Sequence, residues 1–202
     1  MAGTLSVQTI QGLATAPDPT TVSIPTGYKL VGTDTGSVYA PGGVLQIVNF
    51  VTSDKGSVSV TTADTTLNPD VAITVTPKAS GSHFLIQARW GGEYYYGTAW
   101  NFMWNIHRDG SRINSPGTNH WEGLAMGNNP YGDTANDDST PNFVQFSTLD
   151  TTGSTAGTDI TYRLVVTTTS TFTLWTNRCF GNAGQTGYEN FSSELIVTEI
   201  AQ

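Results

Sequence analysis

Residues 84–90 read Phe84-Leu-Ile-Gln-Ala-Arg-Trp90, and this stretch decides the fold. Successive side chains of a β-strand point to opposite faces. One face therefore receives Phe84, Ile86, Ala88 and Trp90. The other face receives Leu85, Gln87 and Arg89. The pattern predicts a strand that packs its apolar face, Trp90 included, against a core.

The same alternation recurs along the chain from residue 44 onward. Further strands are predicted at 57–62, 71–76, 101–107, 144–146, 162–166, 172–174 and 195–198. Residues 44–51 are almost continuously apolar, which is typical of a strand buried on both faces. Asp109-Gly110 indicates a tight hairpin turn, and no segment has a convincing helical period. About eight strands separated by turn residues predict an all-β, jelly-roll-like sandwich.

The first 43 residues form a different kind of segment. Short alternating bursts are interrupted by glycine and proline, as in Ala16-Pro-Asp-Pro19 and Ala40-Pro-Gly-Gly43. Such a segment has too little apolar surface to bury itself, so pairing or winding with other chains would order it. We expect an extended N-terminal segment, 1–43, that anchors or trimerises the protein, and a head domain, 44–202.

Composition narrows the classes of partner. The chain has 202 residues, a net charge of −8 and only eight lysines and arginines, whereas binding to a phosphate backbone depends on basic residues. Nucleic acid is therefore not an expected partner. The single cysteine, Cys179, excludes an intrachain disulfide and a cysteine-based zinc cage, and we expect it to be buried. No secretory signal and no membrane-spanning run are seen, so we expect synthesis in a cytoplasm without membrane insertion.

Motifs for catalysis are not convincing. His107-Arg-Asp109 imitates a protein-kinase triplet without the rest of the kinase pattern, and the hairpin turn explains Asp109. No nucleophile motif accompanies the three histidines. Glu93 and Glu122 are the carboxylates beside aromatic residues that a glycoside hydrolase would need. We predict no enzyme, no catalytic residue and no cofactor, with a hydrolase as the remote alternative.

An aromatic cluster supplies the candidate binding residues. Trp90 and Trp104 fall on inward faces of predicted strands, but three consecutive tyrosines in a glycine-flanked bend cannot all point inward. The predicted surface aromatics are Tyr94, Tyr95, Tyr96, Trp100 and Trp121. Surface tyrosine and tryptophan side chains anchor protein interfaces or stack on sugar rings. Subunit contact is the favoured interpretation, and a glycan site is the alternative.

Residues 114–141 are predicted to form a long loop with a concentration of acidic residues. The loop holds Asp133, Asp137 and Asp138, whose oxygens are the kind of ligand that Ca²⁺ prefers. Their spacing does not match an EF-hand loop, and acidic loops are commonly solvated. We therefore predict no metal and keep these three aspartates as the alternative.

Three stretches carry a family resemblance. They are Ile24-Pro-Thr-Gly-Tyr-Lys-Leu-Val-Gly-Thr-Asp-Thr-Gly-Ser-Val-Tyr-Ala-Pro-Gly-Gly-Val-Leu-Gln-Ile-Val48, Ile106-His-Arg-Asp-Gly110 and Leu195-Ile-Val-Thr-Glu-Ile-Ala-Gln202. These stretches resemble small virion structural proteins of tailed bacteriophages, particularly cyanophages and other marine phages. The heads of that group resemble the trimeric jelly rolls of the tumour-necrosis-factor and complement type. The bend at 91–100 and the loop at 114–141 are longer than the usual pattern.

The resemblance implies a function without implying a catalytic residue. We expect a homotrimer on the virion surface, assembled in the host cytoplasm and attached to other virion proteins through its N-terminal segment. A trimer would also bury the apolar face that residues 44–51 leave over. Two roles fit, a short tail fibre that contacts the host and a capsid decoration (cement) protein. The alternative from another class is a lectin-like module that binds a host-surface glycan.

Overall fold

The computed structural model describes residues 26–27, 40–94, 102–127, 141–180 and 189–202. The chain divides into two units, Met1–Val38 and Tyr39–Gln202, and the account below concerns the second. Most of the predicted N-terminal segment therefore lies outside the described residues.

The described part of the chain is all β, and no helix is present within it. Its twelve strands are β1 (Val44–Thr52), β2 (Gly56–Val60), β3 (Thr65–Thr66), β4 (Ala72–Val75), β5 (His83–Tyr94), β6 (Phe102–Arg108), β7 (Ser111–Arg112), β8 (Ala125–Gly127), β9 (Asn142–Asp150), β10 (Ile160–Thr168), β11 (Phe172–Thr176) and β12 (Ser193–Ile200). Over the same ranges, no helix is long and apolar enough to cross a membrane.

The strands form two antiparallel sheets that pack as a jelly-roll β-sandwich, as the sequence predicted. Sheet I contains β1, β2, β5, β9, β11 and β12, and sheet II contains β3, β4, β6, β7, β8 and β10. In sheet I, β9 pairs with one edge of β5, while β12 and then β11 pair with successive parts of the other edge. β1 and β2 in turn pair with β12 and β11. Sheet I is therefore four strands wide.

The core lies between the sheets and follows the predicted alternation. Phe84, Ile86, Ala88 and Trp90 of β5 are buried, and they face Phe102, Trp104 and Ile106 of β6. The hairpin turn is confirmed as well. Asp109 and Gly110 have φ values of 50° and 87° between β6 and β7, which is the geometry that favours an Asp-Gly pair.

One strand differs from its prediction. The run 44–51 was expected to be buried on both faces, but β1 is an edge strand that pairs only with β12 among the described residues. Val48 and Phe50 pack against the core, whereas Ile47 and Val51 point away from it and are exposed. The described residues therefore leave the outer side of sheet I uncovered at β1.

Candidate functional site

Tyr94 is not a surface residue, and this part of the aromatic prediction is wrong. β5 continues through Gly91-Gly92 to Tyr94, whose side chain is 1% exposed. Its ring stacks on Phe102 with centroids 4.0 Å apart, and its hydroxyl accepts a 3.2 Å hydrogen bond from Nε1 of Trp104. Burial raises the pKa of Tyr94 above its ordinary value. Tyr94 belongs to the core, and it cannot contact a ligand at the surface.

The other candidate binding residues have different outcomes. Tyr95, Tyr96 and Trp100 lie outside the described residues, as do Asp133, Asp137 and Asp138. Trp121 is described, and its side chain is 57% exposed. Within the described ranges, no three His, Cys, Asp or Glu side chains come together as a metal site. Of the five aromatic candidates, Trp121 is therefore the one that the structure places at the surface.

Trp121 lies on a segment, residues 113–124, that covers part of sheet II. Arg112 holds this segment, because its Nη1 donates to the carbonyl oxygens of Gly117, Asn119 and Glu122 at 3.0–3.1 Å. The ring of His120 lies 4.7 Å from that of Trp121. The exposed indole of Trp121 therefore belongs to a backbone segment that is held in place by the hydrogen bonds from Arg112.

Arg112 is itself fixed by a carboxylate. Its Nε and Nη2 donate to Asp64 at 2.7 Å each, and Nε2 of His107 lies 2.7 Å from the same carboxylate. Burial alone would raise the pKa of Asp64, but the hydrogen bonds from Arg112 and His107 outweigh it and hold that pKa below its ordinary value. His107 therefore shares with Arg112 the carboxylate of Asp64 that holds Arg112 in place.

The two glutamates of the hydrolase alternative are not brought together on one sheet. Glu93 is fully buried on β5, where the backbone N–H of Phe180 donates to its Oε2. Glu122 lies on the segment over sheet II and accepts a hydrogen bond from the N–H of Asn119.

Cys179 is buried, as predicted. Desolvation and the charges of Glu93 and Glu189 raise the pKa of its thiol to about 12.

The described residues leave the outer face of sheet I open, and we call it the open face. Its side chains come from β1, β12, β5 and β9, at the positions that alternate with the core residues. In register, the rows across it are Ile47–Thr198–Leu85–Leu149, Asn49–Ile196–Gln87–Ser147 and Val51–Glu194–Arg89–Gln145. The exposed apolar members include Ile47 at 65%, Val51 at 49% and Leu149 at 43%.

An aromatic pair lies at one end of the open face. Phe143 is 62% exposed and meets Phe191 edge-to-face, with centroids 4.8 Å apart. A Cβ at Gly91, between them, would lie only 2.8 Å from Cβ of Phe191 and 2.9 Å from Cε1 of Phe143. Glycine is therefore required at 91 so that both rings can lie close to the sheet.

Sequence reasoning found part of this face. The outward set Leu85, Gln87 and Arg89 and the surplus apolar face of residues 44–51 were both predicted. The contribution of Phe143 and Leu149 was missed. Their signal is in the sequence, because residues 143–149 read Phe-Val-Gln-Phe-Ser-Thr-Leu and place apolar residues on both faces of the strand. The prediction assigned only Val144 and Phe146 to a face.

Comparisons with known proteins bear on the fold only. No protein-family model and no curated protein matches the chain. Among solved structures, the chain is similar to the tumour-necrosis-factor protein Eiger of S. frugiperda. The identity is 12% and the TM-score 0.38, over 77% of this chain and 94% of that chain.

Proposed function

We propose that this chain is a non-enzymatic structural protein of a phage virion, which forms a homotrimer through the open face of its jelly-roll head. The proposal is supported by two independent features. One is the resemblance of residues 24–48, 106–110 and 195–202 to virion proteins of tailed phages. The other, which carries the proposal, is the uncovered apolar face of sheet I.

The size of the open face fits a protein interface. Its strands pair over about eight residues, so four of them span about 26 Å by 19 Å at ~3.3 Å per residue and ~4.8 Å per strand. The flat area is then about 500 Å², and side chains that stand off the sheet add to it. A standard interface takes about 800 Å² of accessible surface from each partner, so the open face supplies most of one side.

The charge of the open face favours a second copy as its occupant. The chain carries a net charge of −8, so two copies repel each other over most of their surfaces. Besides His83, the described charged side chains on the open face are Arg89 and Glu194, which form an ion pair of 3.3 Å. Two acidic copies can therefore approach each other here without a net penalty from like charges.

A trimer is tested by measuring the mass of the full chain and of variants in solution. We expect multi-angle light scattering to give three times the chain mass of 21.5 kDa. Ile47→Asp should dissociate the trimer, because it would place a carboxylate in an apolar contact. Met126→Asp is the matched control, because Met126 is 57% exposed but belongs to sheet II. A monomeric wild type would contradict the trimer, and equal behaviour of the two variants would contradict its formation through the open face.

The location of the protein on the virion needs a separate experiment. Antibodies raised against the purified protein should label intact particles of the phage that encodes it in immunogold electron microscopy. Label over the capsid would assign the decoration role, and label at the tail would assign the fibre role. Particles that bind no gold, although they lyse the host normally, would refute the virion assignment.

A lectin-like module remains the second candidate, and exposed Trp121 is the observation that favours it. Sugar rings stack on fixed, exposed aromatic side chains, and Arg112 fixes the backbone on which Trp121 stands. Binding on a glycan array that is lost in Trp121→Ala and kept in Met126→Ala would support this candidate. An array without signal from the folded wild type would remove it.

A further inference from the structure

Phe143 of β9 is an exposed aromatic ring that is nevertheless held in one position. The described residues leave 62% of it exposed. Phe191 contacts it with ring centroids 4.8 Å apart and ring planes at 90°, which is a favourable arrangement for two aromatic rings. A side chain that is already held in this way loses little conformational freedom when a partner covers it. Phe143 is therefore prepared for contact with another molecule.

Gly91 shows that the backbone is adapted to this ring pair. It is paired with Phe143 across β5 and β9, inside a strand, where glycine is less stable than alanine and has no side chain to pack. A Cβ at this position would come within 3 Å of atoms of both Phe143 and Phe191. The chain therefore gives up strand stability at Gly91, and the two rings can lie close to the sheet in return.

The aromatic pair is separate from the apolar residues at the other end of the open face. Leu149 is six residues from Phe143 along β9, a distance of about 20 Å at ~3.3 Å per residue. The exposed side chains between these two ends include Gln145 and Ser147 of β9 and Gln87 of β5, all of which are polar. A partner that covers the whole open face therefore makes two apolar contacts with polar residues between them.

The surroundings of the pair favour a second copy of this chain as the partner. The pair is continuous with the open face, for which size and charge already favour self-association. The neighbouring charged side chains, Arg89 and Glu194, form an ion pair with each other, so no charge of one sign is left there to select a charged ligand. Aromatic side chains are enriched in the buried centres of protein interfaces, where a few residues supply most of the binding energy.

We propose that Phe143 is the anchor of the contact between copies, the side chain on which assembly depends most, and that Phe191 is the positioning residue that holds its ring. The inference rests on the self-association proposed above and adds to it a residue that determines affinity. The apolar side chains of the neighbouring copy cover the exposed part of the Phe143 ring. Phe191 acts through Phe143, because it fixes the orientation in which the ring meets the neighbour.

Four substitutions separate the anchor from apolar area in general. Phe143→Ala removes the ring, and Phe191→Ala removes its support. Leu149→Ala removes a 43% exposed side chain at the other end of the open face. Met126→Ala is the matched control, because Met126 is 57% exposed on sheet II. Phe143 and Phe191 do not belong to the core between the sheets, so both variants should fold, and Phe191→Leu replaces Phe191→Ala if the latter does not.

The test is sedimentation equilibrium of the full-length variants over a dilution series, with circular dichroism to show that each remains folded. We expect Phe143→Ala to raise the concentration of half-assembly at least tenfold and Met126→Ala to leave it within twofold of wild type. Phe191→Ala should also raise it, but adding Phe191→Ala to Phe143→Ala should change it less than twofold, because the support has no ring left to hold. Leu149→Ala should add its own full effect to Phe143→Ala, because the two sites are far apart.

The outcomes distinguish this inference from the proposed function. If wild type assembles and Phe143→Ala assembles within twofold of it, the anchor is refuted while the trimer stands. An equal loss of assembly in Met126→Ala would also refute the anchor, because the loss would not be specific to the open face. If the effects of Phe143→Ala and Phe191→Ala multiply in the double variant, the positioning role of Phe191 is refuted. If wild type is monomeric at every concentration, the proposed function and this inference both fall.

Discussion

Gly127 at the end of β8 is required by the buried aromatic core, and Gly127→Ala should be strongly destabilising. An ideal Cβ at this position would lie 2.0 Å from the hydroxyl oxygen of Tyr94, 3.0 Å from its Cζ and 3.1 Å from Cγ2 of Val144. Tyr94 cannot swing away, because its ring stacks on Phe102 and packs 5.1 Å from the ring of Trp90. The added methyl group must therefore displace the ring or the strand.

The expected magnitude follows from two contributions. Overpacking a dense core costs about 1–3 kcal/mol, and displacement of the hydroxyl breaks its hydrogen bond with Trp104, a further loss of about 1 kcal/mol. The sum is roughly 3 kcal/mol. At ~2–4 °C per kcal/mol for a domain of this size, the midpoint of thermal unfolding should fall by about 6–12 °C.

A control and a rescue make the prediction specific. Gly153→Ala serves as control, because a Cβ there has no atom within 4 Å, and its midpoint should stay within about 2 °C of wild type. Tyr94→Phe removes the clashing oxygen. It should destabilise the wild type, because Trp104 loses its acceptor, but it should stabilise the Gly127→Ala background. Differential scanning calorimetry at one protein concentration measures the five midpoints, those of wild type, the three single variants and the double variant. Equal melting of the two alanine variants, or no rescue by Tyr94→Phe, would refute the steric argument.

Two further predictions concern ionisable groups. The lowered pKa of Asp64 makes its contribution to stability fully present above the ordinary value of 3.8 and lost as the pH falls through the lower folded value. Asp64→Asn should therefore cost roughly 2 kcal/mol at pH 7 and progressively less below about pH 4. The control is Asp70→Asn, in an exposed pair with Arg163, which should cost under about 1 kcal/mol. Urea unfolding measures the free energy of unfolding of each variant. A difference between Asp64→Asn and wild type that does not change with pH would contradict the lowered pKa of Asp64. Cys179, with its pKa raised to about 12, should react with a thiol reagent at pH 8 at least about a hundredfold more slowly in the folded protein than in urea. Equal rates would show that the thiol is not buried in the folded protein and that its pKa is not raised there.

The faces of the long strands could be predicted from the sequence, because a period of two is a local property. The inward residues of β5 and β6 are buried as expected. The short strands β3, β7 and β8 have two or three residues each, too few for a pattern to show. β3 and β8 depend on β10 and β6 beside them and have no signal of their own. β7 is the exception, because the Asp109-Gly110 turn predicts a second arm of the hairpin that pairs with β6.

Tyr94 shows where a local rule failed. Gly91-Gly92 was interpreted as part of a bend, because glycine is common in turns. In the structure, both glycines lie inside β5. A Cβ at Gly92 would lie 2.0 Å from the carbonyl oxygen of Trp175, and Gly91 leaves room for Phe143 and Phe191. A glycine in a strand that marks a close approach cannot be told from a turn glycine without knowledge of its spatial neighbours.

The apolar run of β1 is best explained by an assembled state in which both faces of the strand are covered. On sheet II, three of the four outward residues of β10 follow a simple rule, and the fourth, Thr167, is polar and covered but donates a hydrogen bond to the carbonyl oxygen of His120. Val165 is apolar and covered, at 1% exposure, whereas Thr161 and Arg163, which are partly exposed, are polar. On sheet I, Ile47 and Val51 break this rule, because they are apolar and the described residues leave them exposed. Selection acts on the side chains of the functional state of a protein, so a strand that is apolar on both faces and covered on one indicates a further contact beyond those that the described residues make. That reasoning makes the open face the first place at which to test self-association.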